Sequence, residues 1–401
     1  MSGSSTPKGT SASTHVLILG TADWNQAIAT NQHYIARELA KQRGVSVTFV
    51  ESLGLRAPEF SAADAGRIAR RVRAVVTRRG AAGVSRAVPD GVSVASPLVA
   101  PASWRVAHPA NGAVLRRSVR GWLQGAGTRI LWTYTPVTYG LEAHADATVY
   151  HCVDLLGQVA GIDPELIDEG EVSLAKAGAT SVASSEVVRT HLEERGFADS
   201  ILWENVADTQ VFSAALTSAP ARVARRAIFA GNLTPEKVDY SALHALTRAG
   251  WQVMLAGPRG HGDGKEFARA LGAGVQYLGM LAPAELAQEF ARATVGLIPY
   301  IVSPYTRGVS PLKTFEYLGT GLAVVASDLP GVRRVPGMVE LASGPQGFVA
   351  AAEQFSEVPS PQRIAARVAI AQEHSWQGRG EQAREMVTTL AALSQERGAR
   401  P

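Results

Sequence analysis

The alternation of short β-branched runs with amphipathic stretches starts twice in this chain, and that double start constrains the fold most. A first strand, HVLILG (His15–Gly20), is followed by the loop TADWNQ, a helical stretch around Asn31–Gln42 and a second strand, VSVTFV (Val45–Val50). RILWTY (Arg129–Tyr134), ATVYHCV (Ala147–Val153), TSVAS (Thr180–Ser184) and ILW (Ile201–Trp203) continue that series. A new opening strand, RAIFAG (Arg226–Gly231), then begins a second one, and WQVMLAG, VQYLG, TVGLIPY and LAVVAS follow at one-helix spacing. Continuous apolar strands separated by helices are the pattern of parallel sheets covered on both faces. Two such starts in 401 residues predict an α/β protein of two doubly wound, Rossmann-like domains.

The expected boundaries are a disordered tail over 1–14, a first domain over 15–210, a second over 222–375, and a closing helix within 376–401 placed to pack back on the first domain. The join falls in 205–221, where Asp, Ser, Thr and Pro concentrate. Gly83–Ala110, rich in Pro, Gly and Ser, reads as an excursion rather than a regular βα unit. Open α/β sheets bind ligands at the carboxyl ends of their strands, so a cleft is expected between the domains.

Composition removes several classes. Hydrophobic residues at 46% and charged residues at 18% fit a globular protein rather than a disordered one. No apolar run reaches the roughly eighteen residues that a spanning helix needs. The polar start MSGSSTPKGTSAST lacks the apolar centre of a signal peptide. A single cysteine, Cys152, excludes an intrachain disulfide and fits a reducing cytoplasm. Neither a D-x-D pair nor a metal-ligand spacing occurs, so no metal and no cofactor is expected. Only six of the 39 basic residues are lysines, which makes the position of each lysine informative.

Two stretches of the second half carry anion-binding chemistry. GNLTPEK (Gly231–Lys237) follows the opening strand; Gly231 allows a tight turn, a following helix N-terminus would offer amides, and Lys237 would add a full charge. SPLKTFEYLGTG (Ser310–Gly321) reads as a helix capped by serine with proline first. Lys313 and Glu316, three residues apart, share a face of it. A lysine there suits phosphate, and a carboxylate suits the two ribose hydroxyls of a nucleotide sugar. Gly321 ends the helix.

On these stretches the second half resembles the retaining GT-B glycosyltransferases of the large family 4 group, and more narrowly the bacterial teichuronic-acid and exopolysaccharide type. FAGNLTPEKVDY, LAGP, VQYLGMLAPAELAQEFARATVGLIPY and SPLKTFEYLGTGLAVVASDLPGV carry the resemblance. It implies a donor diphosphate held by Gly231, Asn232, Lys237, Ser310, Leu312 and Lys313, a ribose held by Glu316, and a nucleobase flanked by Leu278, Gly279 and Met280. Two positions depart from the pattern: Asn232 stands where an arginine is usual, and Gly308 where the first acid of a glutamate pair is usual.

In the first half SPLVAPASWRVAHP, ILWTYTP and the YHCVD-like stretch extend the resemblance. It implies a catalytic, sugar-positioning role for His151, with Asp154 three residues on, and places the loop of Asp23, Trp24 and Asn25 near acceptor or transferred sugar. Trp24 as a lid on the core is the alternative. The implied reaction is sugar transfer, with retention, from a nucleoside-diphosphate sugar to a glycan or lipid-linked acceptor. A non-catalytic subunit with the same fold, or an epimerase, would be other uses of it.

Charge is uneven: twelve arginines and two acids lie between Asp64 and Arg129. DAGRIARRVRAVVTRR (Asp64–Arg79) reads as a solvated surface helix, or as a surface for anionic lipid through Arg67, Arg70, Arg71, Arg73, Arg78 and Arg79 at the inner face of the cell membrane. LRRSVRGWL (Leu115–Leu123) is a second basic, Trp-bearing patch. No nucleic-acid recognition motif accompanies the charge.

Overall fold

The computed structural model describes residues 13–26, 29–55, 86–218, 221–259, 264–309, 311–332 and 338–398. The chain divides into two compact units: Met1–Ala183 with Arg189–Ile201 and Gly380–Pro401, and Ser184–Val188 with Leu202–Arg379. Among the expectations above, the tail up to residue 12, the arginine stretch Asp64–Arg79 and Ser310 lie outside the described residues.

The first sheet contains β1 (Thr14–Leu19), β2 (Val45–Val50), β3 (Val92–Ala95), β4 (Thr128–Thr133), β5 (Ala147–Cys152), β6 (Thr180–Ala183) and β7 (Ile201–Leu202), in the order β3-β2-β1-β4-β5-β6-β7. Its helices are α1 (Asn31–Ala40), α2 (His108–Ser118), α3 (Arg120–Gln124), α4 (Pro164–Lys176) and α5 (Glu186–Glu194). The register pairs β1 in parallel with β2 on one side (Val16 with Val47) and with β4 on the other (Val16 with Ile130). Val16, Leu17, Ile18 and Leu19 are fully buried, as a central parallel strand requires.

The expected excursion at Gly83–Ala110 is corrected: Val92–Ala95 forms β3 and pairs in parallel with β2. Its serine and glycine content masked a short edge strand, whose backbone pairing tolerates a half-exposed side-chain row. The Trp-bearing patch is corrected too. Trp122 is buried, and its indole N–H donates to the His15 carbonyl at 2.9 Å, so only arginines such as Arg117 and Arg120 remain exposed there.

The second sheet contains β8 (Arg226–Ala230), β9 (Gln252–Ala256), β10 (Gln276–Tyr277), β11 (Val295–Ile298), β12 (Ala323–Ser327) and β13 (Val339–Ala342), in the order β10-β9-β8-β11-β12-β13. Around it lie α6 (Thr209–Ala214), α7 (Tyr240–Arg248), α8 (Gly264–Gly272), α9 (Pro283–Arg292), α10 (Pro304–Gly308), α11 (Lys313–Gly319), α12 (Gly344–Glu353) and α13 (Pro361–Glu373). Both sheets thus reverse their strand order between the first strand and the fourth, the crevice where doubly wound folds take ligands.

The stretch 205–221 is not a plain linker. It contains α6, whose Phe212 stacks on Phe290 of α9 with ring centroids 5.5 Å apart. The closing helix α14 (Trp376–Gly398) groups with the first unit from Gly380 on. There Arg384 pairs with Glu38 at 3.0 Å and the Gln42 amide donates to Thr388 at 2.9 Å.

Candidate functional site

The carboxyl edge of the second sheet is built from glycines. β8, β9 and β10 run into Gly231, Gly257 and Gly279, one or two residues past their last paired residue. The Gly231 amide donates to the Ala256 carbonyl and the Gly257 amide to the Gly279 carbonyl, each at 2.9 Å. Gly257 has φ +124°, and a β-carbon there would sit 2.1 Å from the Gly231 carbonyl oxygen. Only glycine fits at that point, so backbone rather than side chains forms the floor. The sequence carried the signal in its three strand ends FAG, LAG and YLG, yet Gly257 was not among the expected site residues.

At the reversal between β8 and β11 the two ends are tied by Tyr317. Its hydroxyl accepts from the Ala230 amide and donates to the Leu297 carbonyl, both at 3.1 Å. Burial pushes the phenol well above its usual range, so it stays protonated and able to donate. Space for the ring comes from Gly296 inside β11, where a β-carbon would fall 2.3 Å from the Tyr317 ring. This bracket fixes α11, and with it Lys313 and Glu316.

Lys313 and Glu316 do share a face: their charged atoms lie 3.3 Å apart, both side chains mostly buried. The Lys313 stem passes over Gly231, its Cε 3.2 Å from where a β-carbon of Gly231 would be. The structure therefore brings Gly231, Lys313 and Glu316 together. Gly321 closes α11 as expected, at φ +75°, with its amide on the Leu318 carbonyl and that of Leu322 on Tyr317.

Two expectations about local geometry are corrected. The helix carrying Lys313 begins at Lys313 itself, after Leu312, which makes no side-chain cap. A Ser-Pro start is seen at Ser303–Pro304 of α10, where the Ser303 hydroxyl accepts from the Thr306 amide at 3.2 Å, while the cap expected from Ser310 lies outside the described residues. Second, no helix starts at GNLTPEK. α7 begins only at Tyr240, and its first turn is capped by Asp239, which accepts from the Ser241 amide at 3.0 Å. The Gly231 amide is likewise spent on the sheet, so the charge of Lys237 and exposed Asn232 carry what that loop can offer.

Lys237 lies beside the same reversal. Its carbonyl accepts from the Ile301 amide at 2.9 Å, and its ammonium sits 4.6 Å from the Tyr300 ring centre and 5.8 Å from that of Tyr305. Leu278 and Gly279 follow β10 half-buried, while Met280 is 47% exposed.

The first sheet's edge is sealed. Trp24 is 1% exposed, edge-on to Phe49 at 5.1 Å, and its indole N–H donates to the Arg86 carbonyl. That packing fits the lid-on-the-core alternative for Trp24. Asn25 is held as well, its side-chain oxygen accepting from the Arg86 amide at 3.0 Å; Asp23 is exposed, and its carbonyl meets the His33 ring at 3.1 Å. His151 is 2% exposed with its ring stacked on Tyr134 at 4.8 Å, a packed residue at the end of β5 rather than an open one. Asp154 is half-buried beyond the strand, and its carbonyl accepts from the Cys152 thiol.

Elsewhere in the first unit a cavity of about 360 Å³ is lined by Leu155, Gln158, Pro164, Glu171, His191 and Arg195. Buried Glu171 accepts there from the Tyr150 hydroxyl at 2.9 Å and meets the His191 ring at 2.8 Å, so its charge is already committed. Among the described residues, no group of three His, Cys, Asp or Glu is placed to hold a metal, and no helix is long and apolar enough to cross a membrane.

Two doubly wound units, one with a glycine-floored, lysine-bearing edge, define a class: the chain has the GT-B fold. It aligns with HepE of Anabaena in complex with UDP at a TM-score of 0.59 and 15% identity, covering 94% of this chain and 100% of that one. The trehalose-phosphate synthase (UDP-forming) of Burkholderia vietnamiensis aligns at 0.66 and 10%, covering 96% and 98%. Residues 224–357 match the family described as Glycosyl transferases group 1, so the second unit carries a domain of that family. TuaH of Bacillus subtilis (strain 168), assigned to teichuronic acid biosynthesis as a glycosyltransferase, is 27% identical over 233 residues, or 52% of this chain. The match spans 58% of that relative's length.

Proposed function

We propose that the protein is a glycosyltransferase that moves a sugar, with retention, from a nucleoside-diphosphate sugar to a glycan or lipid-linked acceptor. The observation that carries this reading is the convergence of Gly231, Lys313 and Glu316 at the strand reversal of a group 1 domain, with Lys237 on the adjoining loop. In this reading the glycine floor admits the diphosphate against backbone, and the two lysines meet its charge without a metal. Arrival of the diphosphate frees Glu316 from Lys313, and the carboxylate then accepts from the ribose hydroxyls. Met280 packs on the base. HepE of Anabaena, a structural relative, is in complex with UDP, which supports a nucleotide in this fold.

His151 serves here by holding the end of β5 in place, its ring wedged against Tyr134. Acceptor docking falls to the first unit. Trp104 and Val106, 48% and 96% exposed, give it an apolar lipid contact that Trp122 does not. Liposome co-sedimentation checks that part, and equal partition onto neutral and anionic vesicles removes the electrostatic component.

A thermal-shift screen of nucleoside diphosphates and their sugars tests the donor site, since a bound donor stabilises the folded state by mass action. Stabilisation that is lost in Glu316→Ala supports the reading. No shift with any nucleotide overturns it, and binding without release of sugar to water or acceptor leaves the fold as a nucleotide-binding subunit.

A further inference from the structure

Lys313 and Lys237 are held by different chemistry. Lys313 faces a carboxylate at 3.3 Å, so its charge is neutralised until a ligand separates the pair. Among the described residues Lys237 faces no carboxylate; its ammonium lies against the rings of Tyr300 and Tyr305. An aromatic face attracts a cation through its quadrupole but leaves the net charge intact. Such a lysine stays oriented and still attracts an anion.

The two tyrosines differ in origin. Tyr300 belongs to the core: it is 6% exposed, edge-on to Phe229 at 6.0 Å, and its carbonyl accepts from the Ser327 hydroxyl at 2.6 Å. Tyr305 belongs to α10, a five-residue turn. Pro304 starts the turn, Ser303 caps it, and Thr306 closes it by accepting from the Ser303 amide at 2.8 Å and donating to the Ile301 carbonyl at 2.7 Å. The Ile301 amide in turn donates to the Lys237 carbonyl. One residue thus stitches the Lys237 loop to the turn that carries Tyr305. Gly308, standing where the resembling enzymes keep an acid, ends that same turn.

We propose that Tyr305 is a positioning residue for donor binding: with Tyr300 it forms an aromatic clamp that aims the uncompensated Lys237 ammonium at the donor diphosphate. The inference rests on the donor-site reading above. Titration calorimetry with UDP, GDP, ADP and dTDP on the full chain tests it. Taking the nucleotide that binds best, Tyr305→Leu weakens binding roughly three- to ten-fold, while Tyr305→Phe, which keeps the ring, stays within about two-fold. Combined with Lys237→Met, Tyr305→Leu costs nothing further, because the interaction it served is gone.

Wild-type affinity in Tyr305→Leu, or the same loss persisting in the Lys237→Met background, overturns the clamp. Should Lys237→Met weaken binding while Tyr305→Leu does not, the donor site stands and only the clamp falls. If none of the four nucleotides binds the wild type, the donor reading itself falls and takes the clamp with it. Thermal unfolding accompanies each variant; if Tyr305→Leu lowers the midpoint, Tyr305→Met replaces it, with the same outcomes.

Discussion

The two sheets share a strand order and differ at the edge where ligands enter such folds. In the first, β1 also runs into a glycine, Gly20, but Gln32 and the buried Trp24 of the following loop close over it, and Tyr134 and His151 at β4 and β5 are buried as well. In the second, the ends of β8, β9 and β10 are glycines, with lysines beside them. The same topology therefore serves two purposes. Large side chains at a strand end convert the crevice into core; their removal in favour of glycine leaves backbone that a phosphate can approach.

The comparison can be broken most forcefully at its stopper. Trp24→Ala removes a fully buried indole and is expected to cost about 4 kcal/mol of stability in urea unfolding while leaving nucleoside-diphosphate affinity unchanged. A lost affinity would make the sealed edge part of the donor site. Gly257→Val attacks the open edge. A side chain at φ +124° and 2.1 Å from the Gly231 oxygen is expected to cost about 3 kcal/mol or more and to abolish nucleotide binding in calorimetry. Normal binding there would remove the glycine floor from the account.

Lys237→Met is expected to weaken nucleotide binding by about 2 kcal/mol, roughly thirty-fold, and to flatten its salt dependence. Lys313→Met should cost less, because the wild-type lysine must first leave Glu316. The reverse order would mean that the Lys313 pair opens at no cost.

The stopper also carries a pH signature. Burial holds His33, packed between Trp24 and Phe49, down at about 4 instead of 6.5. The unfolded chain then binds the extra proton between those values. The contribution is complete above about pH 6.5 and is lost as pH falls toward 4, the loss reaching about 2 kcal/mol at pH 5. Urea unfolding at pH 7.5 and 5.0, with His33→Gln as the non-titrating control, measures the difference; an equal drop in both proteins would assign it elsewhere. The smallest effect belongs to the surface. Arg105, bound to Glu169 at 2.8 Å in open solvent, should leave the urea midpoint almost unmoved on change to alanine.

Much of this was legible in the residues. The double start at His15 and Arg226 determined two parallel sheets, because uninterrupted Val, Ile and Leu runs must be covered on both faces. The i, i+3 spacing placed Lys313 and Glu316 on one helical face, and Gly321 marked where that helix ends. Those are local consequences of period and propensity, which a sequence carries directly. Tertiary structure decided what depends on residues far apart in the chain. The burial of Trp24 as a stopper and the pairing of Val92–Ala95 as an edge strand both turn on neighbours supplied by distant segments. The amide of Gly231 was free in the sequence and is occupied in the fold, since a parallel strand places Ala256 beside it. The contrast between the two lysines is of the same kind: a carboxylate three residues away is visible in the sequence, but the two rings around Lys237 arrive from residues 63 and 68 positions later, past the end of β11 and on α10.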